Sequence, residues 1–196
     1  MGVSPDGKYA ATGGSGDGWV KVFETASGRE VRAIDTRAGA TYTLGYTGDG
    51  RFLVGSHGDG SLRVWNPADG SAVKTLSANA GYVPVFSFSR DGKSVAFPTE
   101  EGAISVLETS AWSEVRRLEG HEGGAVSSAF HPRGRGLVSL GQDGGIRFWD
   151  LGTGKRIHEL SALAGGSGFR LAFAADGLSL VVTGGDGMVR IFGRKR

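Results

Sequence analysis

Residues 140–155 read LGQDGGIRFWDLGTGK, with five glycines, a Phe-Trp pair and a Trp-Asp step in sixteen residues. Two readings compete for this stretch. Glycines that lead from a strand into a helix cradle phosphate, because the helix N-terminus presents free N–H groups to the anion. Glycines between two strands are hairpin turns, because they supply positive φ at no steric cost. Here "GLVSL" (136–140) precedes the glycines and "IRFW" (146–149) follows them, both with strand alternation and neither helical. Neither this stretch nor "TGGSGDGWVKVF" from Thr12 contains Gly-Lys-Ser/Thr, and the second likewise runs from strand to strand. The glycines are punctuation.

The punctuation is periodic. An acidic residue followed by Gly recurs at Asp17, Asp59, Glu101, Asp143 and Asp186. Six residues after each stands a large apolar side chain: Phe23, Trp65, Leu107, Trp149 and Phe192. A second turn recurs as "SPDGK" from Ser4, "TGDGR" from Thr47, "SRDGK" from Ser89, "HPRGR" from His131 and "AADGL" from Ala174. Three markers keeping one period of 42 or 43 residues define a repeat. Within 125–160 the grammar is strand "AVSSAF", turn "HPRGR", strand "GLVSL", turn "GQDG", strand "IRFW", turn "LGTGK" and strand "RIHEL". Four short antiparallel strands per repeat predict an all-β fold, a β-propeller of four-stranded blades.

The segment "LEGHEGGAVSSAFHPRGRGLVSLGQDGGIRFWDLGTGKRIHEL" resembles a WD-repeat unit. The resemblance covers the chain as one domain, 1–196, with units near 1–39, 40–81, 82–123, 124–165 and 166–196. It implies a structural hydrogen-bond relay through His121, Ser139, Asp143 and Trp149. The other units depart from that pattern. Arg37, Asn79 and Ala164 stand in place of His, Gly13 and Gly55 in place of Ser, and Glu101 in place of Asp. Those blades are expected to depend on packing and hairpin geometry instead.

Composition narrows the function classes. The 36 glycines among 196 residues are far above the usual share of about 7%, as many tight turns require. The absence of cysteine excludes disulfides, thiol catalysis and cysteine-ligated zinc. With 22 basic and 20 acidic residues the net charge is +2, and Arg194, Lys195 and Arg196 account for more than that excess. A near-neutral body argues against nucleic acid, leaving the basic tail as the one feature that could touch it. The start "MGVSPDGKYA" has no signal-peptide pattern, and no apolar run is long enough to span a bilayer. A cytoplasmic protein with no membrane contact is expected.

The sequence predicts three complete blades and two partial ones, in an open or incomplete ring. "MGVSPDG" leaves little of a first innermost strand, and "MVRIFGRKR" stops after a third strand. A fragment, or a propeller completed by another chain or a missing segment, is the expectation.

No catalytic, metal or cofactor constellation emerges. His121, Ser139 and Asp143 have the residue types of a hydrolase triad, but the resemblance makes them a buried relay. His57, His131 and His158 share no metal-ligand spacing, and His57, in "GSHGDG", is expected to be exposed. The first strands "TYTLGY", "VPVFSF", "AVSSAF" and "FRLAF" offer no acid–base pair. The implied function is a non-catalytic scaffold that binds a protein or peptide partner on the top face. By position that face carries Arg37, Tyr42, His57, Asn79, Tyr82, Glu100, Glu122, Gln142 and Phe169. The alternatives are a sensor or regulatory propeller fragment of a larger signalling protein, a propeller enzyme, or a nucleic-acid binder through the basic tail.

Overall fold

A computed structural model describes residues 1–14, 16–77, 85–99, 101–161 and 168–193. Every regular element among them is a β-strand. They fall into two compact units, Met1–Val85 and Phe86–Arg196.

The first unit holds two four-stranded antiparallel sheets, each a meander in chain order. Strands β1 (Gly2–Val3), β2 (Tyr9–Gly13), β3 (Trp19–Glu24) and β4 (Glu30–Asp35) form one. Strands β5 (Thr41–Tyr46), β6 (Leu53–His57), β7 (Ser61–Trp65) and β8 (Ala72–Ser77) form the other. Alternation sends Val20, Val22 and Ile34 to one face, where they meet Leu44, Leu53 and Trp65 of the next sheet in a common core. This face-to-face burial drives the pairing of neighbouring repeats, since one repeat cannot hide its own apolar face.

The second unit repeats the plan three times. Its sheets comprise β9 (Ser87–Phe88), β10 (Ser94–Pro98), β11 (Ile104–Glu108) and β12 (Ser113–Leu118), then β13 (Ala125–Phe130), β14 (Gly136–Gly141), β15 (Gly145–Asp150) and β16 (Arg156–Ser161). The last sheet has three strands, β17 (Gly168–Phe173), β18 (Ser179–Gly184) and β19 (Val189–Gly193). Two cores separate the three sheets. One packs Ile104, Val106 and Leu118 against Leu137 and Trp149; the other packs Val138, Leu140 and Ile146 against Leu171, Leu180 and Val182. The blade architecture read from the repeat is what the chain adopts. The first strand of the opening sheet is only two residues long, and the last sheet has no fourth strand among the described residues.

A bulge recurs where strand three meets strand four, at Val22/Phe23, Val64/Trp65, Val106/Leu107 and Phe148/Trp149. The register shifts beside the large apolar residue each time, so one irregularity is copied with the repeat. The turn after strand three places Gly28, Gly70 and Gly154 in the left-handed region. In the third repeat that position is Trp112, at φ 54° and only 6% exposed. Burial of the indole offsets the strain that a side chain meets in this conformation.

Neighbouring sheets are also stapled by arginine, through residues that the sequence reading passed over. Arg116 on β12 donates through Nε to the Leu151 carbonyl (2.9 Å) and through Nη2 to that of Gly152 (2.7 Å), in the turn before β16. Two repeats earlier Arg32 on β4 donates in the same way to the Ala68 carbonyl. Because the Arg116 bonds are exposed, Arg116→Ala is expected to cost only about 1 kcal/mol, read as a drop of about 3 °C in thermal unfolding.

Candidate functional site: a buried relay beneath exposed loops

The loop end of the fourth sheet is organised by one polar chain. The Trp149 indole Nε1–H donates to Ser139 Oγ (2.7 Å). Ser139 in turn lies 2.7 Å from His121 Nε2, and His121 Nδ1 lies 3.1 Å from Asp143 Oδ1. A neutral imidazole with its proton on Nδ1 completes the run from Trp149 to Asp143: Ser139 O–H donates to Nε2, and Nδ1–H donates to the carboxylate. Burial holds the His121 pKa below its ordinary value, and the neighbouring Arg147 cation adds to the effect, so the ring is neutral near pH 7. Burial opposes ionisation of Asp143. The amides of Gly145 and Glu122 and the His121 contact outweigh it, and its pKa is lowered.

The His121 side chain is 2% exposed and Ser139 wholly buried, so no substrate reaches the hydroxyl. Hydrolase-like residue types are thus spent on structure. They tie the segment before β13 to β14, the β14–β15 turn and β15, and leave few polar groups unpaired in the core.

Arg147 extends the chain, and the sequence reading missed it. Its Nη1 pairs with Asp143 Oδ2 (2.8 Å) and abuts His121 Nδ1, while Nη2 reaches Glu159 Oε1 (3.0 Å). The signal was present as a recurring Asp-Gly-x-x-Arg. Arg63 pairs with Asp59 (2.7 Å) and Arg190 with Asp186 (2.5 Å) by the same step. In the third repeat Ser105 takes the arginine's position. There the cation comes from the fourth strand, where Arg117 pairs with Glu101.

His57 overturns an expectation. It is fully buried, not exposed, and cannot serve as a surface contact in this structure. It ends β6 at the repeat position held by Gly141 in β14, facing into the sheet stack. Gly55, two residues earlier on the same face, stands at the position of Ser139. A Cβ on Gly55 would lie 2.9 Å from the Trp65 ring and 3.0 Å from His57 Nε2. The imidazole therefore packs edge-on against Trp65, with ring centroids 5.4 Å apart, and contacts Thr41 Oγ1 through Nδ1 (3.2 Å). Two repeats thus place a histidine beside the aromatic of strand three by different routes. The fourth brings it from the preceding loop over Gly141, and the second from the strand itself over Gly55. With its Nε2 unpartnered, His57 has a pKa lowered to about 4, chiefly by burial and then by Arg63.

The remaining surface candidates divide by position. Arg37 has an 87% exposed side chain beside Asp35, and φ 49° turns it outward. Tyr42 is 49% exposed and is the extra residue where register shifts between Thr41 and Thr43. The same backbone register shift recurs between Gly168 and Arg170, at Phe169. Glu122 is exposed and Gln142 half-buried, both beside the relay. Asn79, Tyr82, Ala164, Glu100 and the basic tail lie outside the described residues. Among the described residues no cluster of three His, Asp or Glu side chains is placed to hold a metal.

A family model, the WD domain, G-beta repeat, matches residues 1–24, 29–66 and 112–150, more than half of the chain. No curated protein matches it.

Proposed function

The chain belongs to the WD-repeat family, and on that premise we propose that it is a non-catalytic platform for a protein or peptide partner. WD repeats generally mediate protein–protein interaction, and a rigid scaffold with variable loops suits that role. One observation carries the reading here: the polar chemistry at the loop end of the fourth sheet is consumed internally. His121, Ser139 and Asp143 satisfy one another and Trp149, while Glu122 beside them is left to solvent. In the first unit Arg37 and Tyr42 are exposed at the corresponding strand end. Tyrosine and arginine are the side chains that most often anchor interfaces.

A photo-reactive amino acid at Tyr42 tests this, with one at the exposed Val73 of β8 as control. The expected result is a discrete cross-linked partner from position 42, absent from position 73 and reduced about tenfold by Arg37→Ala, the loss of one interface anchor. Equal labelling from both positions would count against this face.

A further inference from the structure

Sheets in this chain meet through unlike faces. Each presents a forward face to the sheet that follows it and a rear face to the sheet before it. In the first unit Val20 and Val22 on a forward face meet Leu53 and Trp65 on the rear face of the next sheet. In the second unit Ile104 and Val106 meet Leu137 and Trp149, and Val138 and Ile146 meet Leu180 and Val182. One forward face and one rear face stay open to solvent among the described residues.

The open forward face belongs to the last sheet. Val181 pairs with Ala172 and Ile191, and Thr183 with Arg170 and Val189, so these residues share one side of the sheet. In the fourth sheet the equivalent rows are Ala129–Val138–Phe148 and Ser127–Leu140–Ile146. There Val138, Leu140 and Ile146 are wholly buried, whereas Val189 is 61% exposed and Ile191 71% exposed. The last sheet thus keeps aliphatic residues at positions whose burial needs another sheet, and a contiguous apolar face of this kind marks an interaction surface.

The open rear face belongs to the first sheet. Ala10 pairs there with Phe23, as Leu53 does with Trp65, Leu137 with Trp149 and Leu180 with Phe192. Those three other pairs receive the forward face of the preceding sheet. Ala10 and Phe23 are only half-buried, and Trp19, on the same side of β3, is 39% exposed. Lys21, also on that side, pairs with Glu30 at 3.3 Å, so it presents no bare charge to a face that carries Arg170.

We propose that the forward face of the last sheet docks on the rear face of the first sheet of a second copy of this chain. Val181 and Ile191 then cover Ala10 and Phe23, as Ile104 and Val106 cover Leu137 and Trp149 within one copy. The occupant is a second copy because the chain carries both open halves of an interface it repeats internally. Two last sheets do not pair with each other, because all three described interfaces join unlike faces. Such a contact is heterologous: each copy that joins leaves a face free for the next, so assembly runs to a closed ring or a filament. The loop-end surface takes no part in it, so failure of either reading leaves the other intact.

Sedimentation equilibrium of the full chain should give a mass that rises with concentration between about 1 and 100 μM, the range of a modest interface. Ile191→Lys blocks the forward face and Phe23→Lys the rear face, and each variant alone should stay monomeric. Mixed in equal amounts, the two should form a dimer of one copy of each and nothing larger, because one intact face of each kind remains. Ala10→Lys is a second rear-face block, and it should complement Ile191→Lys in the same way. Circular dichroism confirms that each variant is folded; where one is not, the wild-type mass and the other rear-face variant decide. A wild-type chain that stays monomeric throughout, self-association of a folded rear-face variant on its own, or a mixture of folded variants without a dimer would overturn the proposal.

Discussion

Gly141→Ala is expected to destabilise the second unit by about 4 kcal/mol, and to lower its unfolding temperature by about 10 °C. The backbone conformation is not the reason. Gly141 approaches the relay so closely that a Cβ would lie 2.7 Å from His121 Cγ and closer still to His121 Nδ1 and the Asp143 carboxylate. The ring must leave, and its departure breaks the links to Ser139 and Asp143 together, abandoning buried polar groups. Gly134, where a Cβ meets nothing within 4 Å, is the control, and Gly134→Ala should be close to neutral. A double-mutant cycle sharpens the cause. With His121→Ala already present, adding Gly141→Ala should cost little more, because the clash has lost its principal partner. Additive costs, or a Gly141→Ala variant within about 1 kcal/mol of wild type, would show that His121 is not held as described.

The same glycine marks where sequence reading works and where it stops. Period, hairpins and large apolar positions were legible because each is a local pattern repeated five times, and repetition separates signal from composition. The relay residues were legible through their spacing. His57 was misplaced because its hairpin has the composition of an exposed turn, while its direction is set by alternation from Leu53 and by room at Gly55. The clue was an exchange of sizes between repeats: Gly55 and His57 stand where Ser139 and Gly141 stand. The arginine staples were equally present in the aligned repeats. Their meaning depends on contacts between sheets, and the pattern within one repeat does not contain those.

The burial of His57 makes the first unit sensitive to acid. In the unfolded chain the imidazole titrates near 6.5, but in the fold its pKa falls to about 4. Between these values the unfolded state binds the extra proton, so stability rises with pH through that window and is lost as pH falls through it. The contribution is complete above pH 6.5, and about 3 kcal/mol of it is gone by pH 4. His121, also lowered by burial, acts in the same direction on the second unit, so the wild-type curve alone does not isolate either ring. His57→Phe does, since a ring that cannot titrate still faces Trp65. The variant can differ from wild type at pH 7; the test is the slope. Urea unfolding from pH 7 to pH 4.5 should show the wild-type midpoint falling relative to that of the variant, with a free-energy difference that changes by about 1.4 kcal/mol per pH unit in the steep part of the window. Parallel curves would mean that the imidazole is protonated within the fold or open to solvent, and the packing of His57 against Trp65 over Gly55 would be wrong.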